Sequence, residues 1–242
     1  MLNLSYKELV QRYGLEPVPE SVVRLTQLVA RQDADLDEIA KVIGEDRAIT
    51  QRLLRAANPK AKTEDDYTVS TVEEALMRNG LSCVLLLAMG VPLTLALLKT
   101  SQTMLGQKLE SVNPKSIQPF LTEHVLGMIG FSGKATGRVY LRLSIEGARL
   151  IAARVLGLPA QELKNRSDVD DAVGELLNIV TGNFKSNLCD AGLDCRLHTP
   201  SVTRTNRFDV ETPPGAGLER MAFCGPDLVL FVDVAVNPWN QE

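Results

Sequence analysis

Histidine is nearly absent: 242 residues contain only His124 and His198, far apart in the chain. A His-rich metal centre, or a phosphohydrolase built on a His-Asp metal dyad, is excluded on that ground. The four cysteines, Cys83, Cys189, Cys195 and Cys224, show no CxxC spacing. They read as reduced, mostly buried thiols of a cytoplasmic protein, neither a zinc site nor a disulfide framework. Basic excess is missing too. Lys and Arg number 26 against 30 Asp and Glu, a net charge of −4. Residues 1–88 carry 11 basic and 14 acidic side chains and the remainder 15 and 16, so neither part is a basic module for nucleic acid or an anionic membrane.

Long apolar runs are scarce as well. Asn79 to Leu98 is free of charge, but Asn79, Gly80, Ser82 and Pro92 interrupt it, which favours a buried helix over a membrane span. The N-terminal MLNLSYKELVQRYG lacks the basic-then-apolar layout of a secretory signal. What remains is an ordinary globular composition, 45% hydrophobic and 23% charged, long enough for one large domain or two modest ones.

Start and stop signals divide the first part into short helices. Ser5 with Glu8 fits a capping box, and Gly14 is a stop. Pro19 opens a helix with Val22, Val23, Leu25, Leu28 and Val29 on one face. Asp35 caps another with Leu36, Ile39, Ala40 and Ile43 as its apolar face, and a fourth carries Ile49, Leu53 and Leu54 and stops at Asn58-Pro59. Ser70 with Glu73 reads as a further capping box, its helix ending at Gly80. Residues 35–58 also have the outline of a helix-turn-helix. Asp37, Glu38, Glu45 and Asp46 beside Arg47, Arg52 and Arg55 oppose phosphate binding, so no nucleic-acid partner is expected.

The second part changes character. A helix over about 82–105 ends at Gly106, and residues 126–143 read as a β-hairpin turning between Gly133 and Gly137. A helix from about Glu146 to Leu156 closes at Gly157 and Pro159, and a long one spans about Val169–Leu188. SVTRTNRFDV, LERMAFC and LVLFVDVAV then read as strands. The fold class is α+β: an N-terminal all-α module, residues 1–88, followed by long helices packed on a mostly antiparallel sheet, residues 89–242.

Helical spacing sorts the long helix into two faces. Val169, Val173, Leu176, Leu177, Val180, Phe184 and Leu188 share one. Asp171, Glu175, Asn178, Gly182 and Lys185 recur at i, i+4, i+7, i+11 and i+14 on the other, either a plain solvated face or a contact surface. A glycine in that stripe weakens the helix by roughly 1 kcal/mol relative to alanine and lets another group approach.

Two families are resembled. LEPVPESVVRLTQLV, DADLDEIAKVIGEDRAITQRLLRAAN and VSTVEEALMRNGLSCVLLLAM, within residues 15–89, are similar to the first half of an HDOD domain, a helical signalling module without the metal ligands of HD hydrolases. DAVGELLNIVTGNFKSNL resembles the signature helix of the CheX/CheC/FliY chemotaxis phosphatases: Asp or Ser, three residues, Glu, two residues, Asn, usually 22 more residues, and then a proline. Asp171, Glu175 and Asn178 match, and Pro200 follows after 21 residues. TMLGQ and MIGFSGKATGRVYLRLS extend the CheX-like stretch, which covers roughly residues 90–236.

The CheX resemblance implies a catalytic pair, Glu175 and Asn178, that dephosphorylates the aspartyl phosphate of a response-regulator receiver domain. Asn178 would orient the attacking water, Glu175 would pair with the partner's lysine, and Asp171, Gly182 and Lys185 would contact the partner. Mg²⁺ would come from the receiver, with no metal bound by this chain. The alternative is a non-catalytic adaptor that docks response regulators or other signalling proteins. A homodimer through the sheet is a further expectation, with LVLFVDVAV either at that interface or as a central strand. His124, His198, an exposed Lys185, Trp239 and the Asn165-Arg-Ser sequon are read as structural or surface features.

Overall fold

The computed structural model describes residues 19–31, 34–58, 63–159, 162–163, 165–190, 193–210 and 216–237. The expected cap at Ser5, the stop at Gly14 and Trp239 lie outside these residues. Three short helices come first: α1 (Glu20–Ala30), α2 (Leu36–Glu45) and α3 (Arg47–Ala57). Asp35 caps α2 by accepting from Asp37 N, and Asp46 caps α3 by accepting from Ala48 N and Ile49 N. Asn58 ends α3, and its side chain ties the turn to the next segment, donating to Leu54 O and Val69 O and accepting from Thr68 N and Val69 N. Two expected core positions are corrected: Val23 and Leu36 are 41% and 48% exposed, because each sits at the solvent edge of its apolar stripe.

Helix α4 spans Val72–Met104 and breaks at Gly80, whose φ of 70° and ψ of 172° are non-helical. Only glycine takes that backbone cheaply, which is why the expected stop falls there. The cap is one residue later than expected: Thr71, not Ser70, accepts from Glu74 N, and Glu74 returns a carboxylate oxygen to Ser70 N. Helices α1, α2 and α3 all pack on α4. Beyond Gly80 the same helix lies over the sheet, so it runs through residue 88 and serves both parts of the chain.

The sheet has seven strands: β1 (Glu110–Val112), β2 (His124–Gly133), β3 (Gly137–Ser144), β4 (Cys195–Leu197), β5 (Ser201–Thr205), β6 (Gly217–Cys224) and β7 (Val229–Val236). Their order is β1-β6-β7-β3-β2-β4, with β5 sharing the edge of β2 beside β4, and all pairings are antiparallel. Strand β7, LVLFVDVAV apart from its first residue, is an inner strand between β3 and β6. Its apolar character is accounted for within one chain. Strands β1 and β4, three residues each, were not expected from the sequence.

Helices α5 (Ile145–Leu156) and α6 (Arg166–Asp190) join α4 on one face of the sheet. Gly157, in the left-handed region at φ 66°, ends α5 as expected. Gly127 on β2 lets α6 come close: a Cβ there would stand 3.2 Å from Leu177 Cδ2. Residues of both parts, from Val22 to Val236, form one continuous hydrophobic core. The opposite sheet face is polar at its centre. Asp233, fully buried, accepts from Arg142 at 3.0 Å and also from Arg220, while the Arg142 guanidinium lies between the rings of Phe208 and Phe231 at 4.6 and 4.7 Å. No helix among the described residues is long and apolar enough to cross a membrane.

Candidate functional site

Helix α6 places the site. Its apolar face is fully committed: Val169, Val173, Leu176, Leu177, Val180, Phe184 and Leu188 are all buried, Phe184 edge-on to Phe131 of β2 at 5.7 Å. Each such side chain contributes roughly 1.5–3 kcal/mol against exposure, so the helix cannot roll on its axis. That rigid seating holds Asp171, Glu175 and Asn178 outward, and all three are exposed. At its start Asn165 accepts from Ser167 N, which gives the residue of the glycosylation sequon a local structural role.

Asp171, Glu175 and Asn178 line one shallow groove of about 330 Å³ with Asp170, Gly174, Pro200 and Val202. Pro200 stands immediately before β5, so the proline one residue nearer than the family spacing still introduces the strand that walls the site. Gly174 keeps that wall close, since a Cβ there would be 3.7 Å from Val202 Cγ2. Arg204 on β5, pairing with Asp170 at 2.9 Å, fixes the strand to the helix. Neither Asp170 nor Arg204 was singled out from sequence. The signal was faint: a doublet of aspartates in which one faces the sheet and the next the solvent.

Gly182 and Lys185 continue the stripe along α6 but do not line the groove. A Cβ on Gly182 would meet nothing within 4 Å, so no neighbouring group among the described residues requires the glycine. Lys185 is corrected from an exposed cation to a half-buried one, whose charge acts on the Cys195 thiol near β4. That thiol is pushed up to about 11, chiefly by burial and further by Cys189, with Lys185 opposing. His124 is the first residue of β2 and is buried, its Nδ1 3.1 Å from Thr122 O, while the exposed His198 contacts Ser132 Oγ through Nε2 at 2.9 Å. Neither histidine lines the groove. Among the described residues no three His, Cys, Asp or Glu side chains cluster to hold a metal ion.

Residues 125–223 match the family model of the chemotaxis phosphatase CheX. The C-terminal part is CheX-like. Residues 15–118 match the HDOD domain model, past the end at residue 89 expected from the sequence. Solved structures repeat the CheX likeness. CheX of Desulfovibrio desulfuricans superposes with a TM-score of 0.53 at 19% identity, covering 62% of this chain and 99% of that one. CheX of Vibrio vulnificus gives 0.52 at 24% identity, covering 62% and 96%. A CheX-CheY-BeF3-Mg²⁺ complex from Borrelia burgdorferi gives 0.51 at 17% identity, covering 62% and 97%. At these identities the likeness is one of fold. No curated protein matches the chain in sequence.

Proposed function

We propose that the chain is a phosphatase acting on the aspartyl phosphate of a response-regulator receiver domain, with residues 89–242 as the catalytic part and residues 1–88 as a helical signalling module. The observation that carries this reading is the joint exposure of Glu175 and Asn178, one turn apart on a helix whose other face is locked in the core. An aspartyl phosphate is already activated, and the remaining need is a water held in line with the leaving carboxylate. Asn178 suits that task because its amide offers a donor and an acceptor and stays neutral beside a phosphoryl group. Glu175, three residues earlier on the same face, is placed to pair with a cation of the receiver and set the register of α6.

Asp171 extends the contact surface at the mouth of the groove, and Gly182 leaves room for the partner further along the helix. Asp170 is held by Arg204, and among the described residues no three His, Cys, Asp or Glu side chains cluster. In this reading Mg²⁺ belongs to the receiver, and no step is assigned to a metal on this chain. The Borrelia burgdorferi complex, whose components include CheY, BeF3 and Mg²⁺, supports such an arrangement for a protein of this fold.

The test is the lifetime of a phosphorylated receiver in the presence of Mg²⁺. Wild-type protein shortens it, while Asn178→Ala and Glu175→Ala remove the acceleration with unchanged circular dichroism. A 10²-fold or greater loss in kcat/KM, about 2.7 kcal/mol of barrier, is expected for Asn178→Ala. Normal receiver binding with an unchanged phosphate lifetime would instead make the chain an adaptor.

A further inference from the structure

We infer that the free half of strand β6 is a docking edge for an acidic peptide in extended conformation. Strand β1 pairs only with Ala222, Phe223 and Cys224, and the chain then leaves the pairing at Asn113 through a 3-10 turn at Pro114–Ser116 that still packs beside β6. Gly217 to Met221 therefore have a pairing partner on the β7 side only, among the described residues. Their outward N–H and C=O groups form a row that an added strand satisfies in full and that a compact ligand does not.

The edge is not a flat border. It opens into a groove of about 1050 Å³, walled by α3 and α4 on one side and by residues 111–119 on the other. This is at the upper end of the roughly 300–1,000 Å³ of small-molecule clefts and has room for a segment of chain. Leu218, 44% exposed, offers the groove an apolar contact.

Charge selects the occupant. Five cations line the groove, Arg52, Arg55, Lys115, Arg142 and Arg220, in a chain whose net charge is −4. Arg52 pairs with Glu219, and Arg142 and Arg220 share Asp233. Arg55 and Lys115 form no ion pair among the described residues, so a cationic excess faces the edge. Strand alternation sorts these groups: Glu219, with Arg52 upon it, faces the helices, whereas Arg220 faces the other side with Arg142. Carboxylates on a paired peptide thus find an arginine above or below the sheet. A second copy of this chain is the poorer fit, because a two-fold pairing sets the same cationic rim against itself.

The test uses the full chain and fluorescein-labelled six-residue peptides in fluorescence anisotropy. One alternates Glu with Val, one alternates Lys with Val, and two acidic versions are N-methylated on alternate backbone nitrogens, one in each register. The Glu-Val peptide is expected to bind, the Lys-Val peptide at least 10-fold more weakly. One N-methyl register abolishes binding and the other preserves it, as strand pairing demands. Arg55→Glu with Lys115→Glu, both exposed and checked by thermal melting, weakens the acidic peptide roughly 10-fold or more. Absent binding would leave the cations as mere guards of a bare edge and overturn the inference. Indifference to both N-methyl registers, or to charge reversal, overturns it equally. So does sedimentation showing a dimer that the double variant dissociates and the acidic peptide leaves intact.

Discussion

Substitution of Gly182 separates what the helix needs from what a partner needs. Beyond the helix's own backbone, no atom of the described residues lies within 4 Å of a Cβ at this position, so alanine enters without a clash. The helical backbone then gains about 1 kcal/mol from the lower entropy cost of alanine. With an unfolding entropy of about 2.1 cal/mol/K per residue, the 242-residue chain gives roughly 0.5 kcal/mol per degree, and Tm rises by about 2 °C. Under the proposed docking mode the same site is crowded by the receiver. Gly182→Leu therefore costs about 1–3 kcal/mol of overpacking in the complex, a 5- to 150-fold drop in kcat/KM for dephosphorylation. Calorimetry reads the first effect and phosphate release the second. A fall in Tm for Gly182→Ala refutes the open space around the glycine. Full activity in Gly182→Leu refutes contact with the partner there.

Other expectations follow from buried chemistry. Asp233→Asn leaves two arginines without their shared counter-charge and costs about 3–5 kcal/mol, measured by urea unfolding at neutral pH. Arg204→Ala strands Asp170 and loosens β5 from α6, costing about 1.5–3 kcal/mol, and a double-mutant cycle with Asp170→Ala recovers most of that as coupling. Because burial holds the Cys195 thiol protonated to about pH 11, iodoacetamide at pH 8 modifies it far more slowly in native than in unfolded protein, by peptide mass spectrometry. Glu219 is pushed up by burial, with Arg52 opposing, so the folded state holds its proton more firmly. Its contribution is full below the ordinary value of 4.5 and declines as pH rises through the folded value, a slope that Glu219→Gln flattens in denaturation curves.

Local signals carried most of the architecture. Asp35, Gly80 and Gly157 mark helix ends by chemistry that acts within a few residues, and the hairpin between Gly133 and Gly137 is equally local. The same locality explains the slip from Thr71 to Ser70, since adjacent hydroxyls precede adjacent glutamates and either pair satisfies the pattern. Periodicity from Val169 to Leu188 placed Asp171, Glu175 and Asn178 outward. What escaped was non-local. Asp233 meets Arg142 across 91 positions, and Arg204 meets Asp170 across 34, pairings that depend on strand order and leave no trace in spacing. Strands β1 and β4 are too short to show an alternation, and Val23 and Leu36 have the right residue type at the wrong rim of their stripe.

Helix α4 bears on how the chain melts. Two family-sized stretches, each matched by its own model, would ordinarily suggest two units that lose structure separately. Here the spine against which α1, α2 and α3 pack continues as a beam across β6 and β7, and the apolar side chains on either side of it belong to a single core. Heat cannot loosen one stretch without stripping contacts from the helix the other stands on. The chain therefore absorbs heat in one peak, with calorimetric and van't Hoff enthalpies in agreement, and the two stretches share one thermodynamic fate.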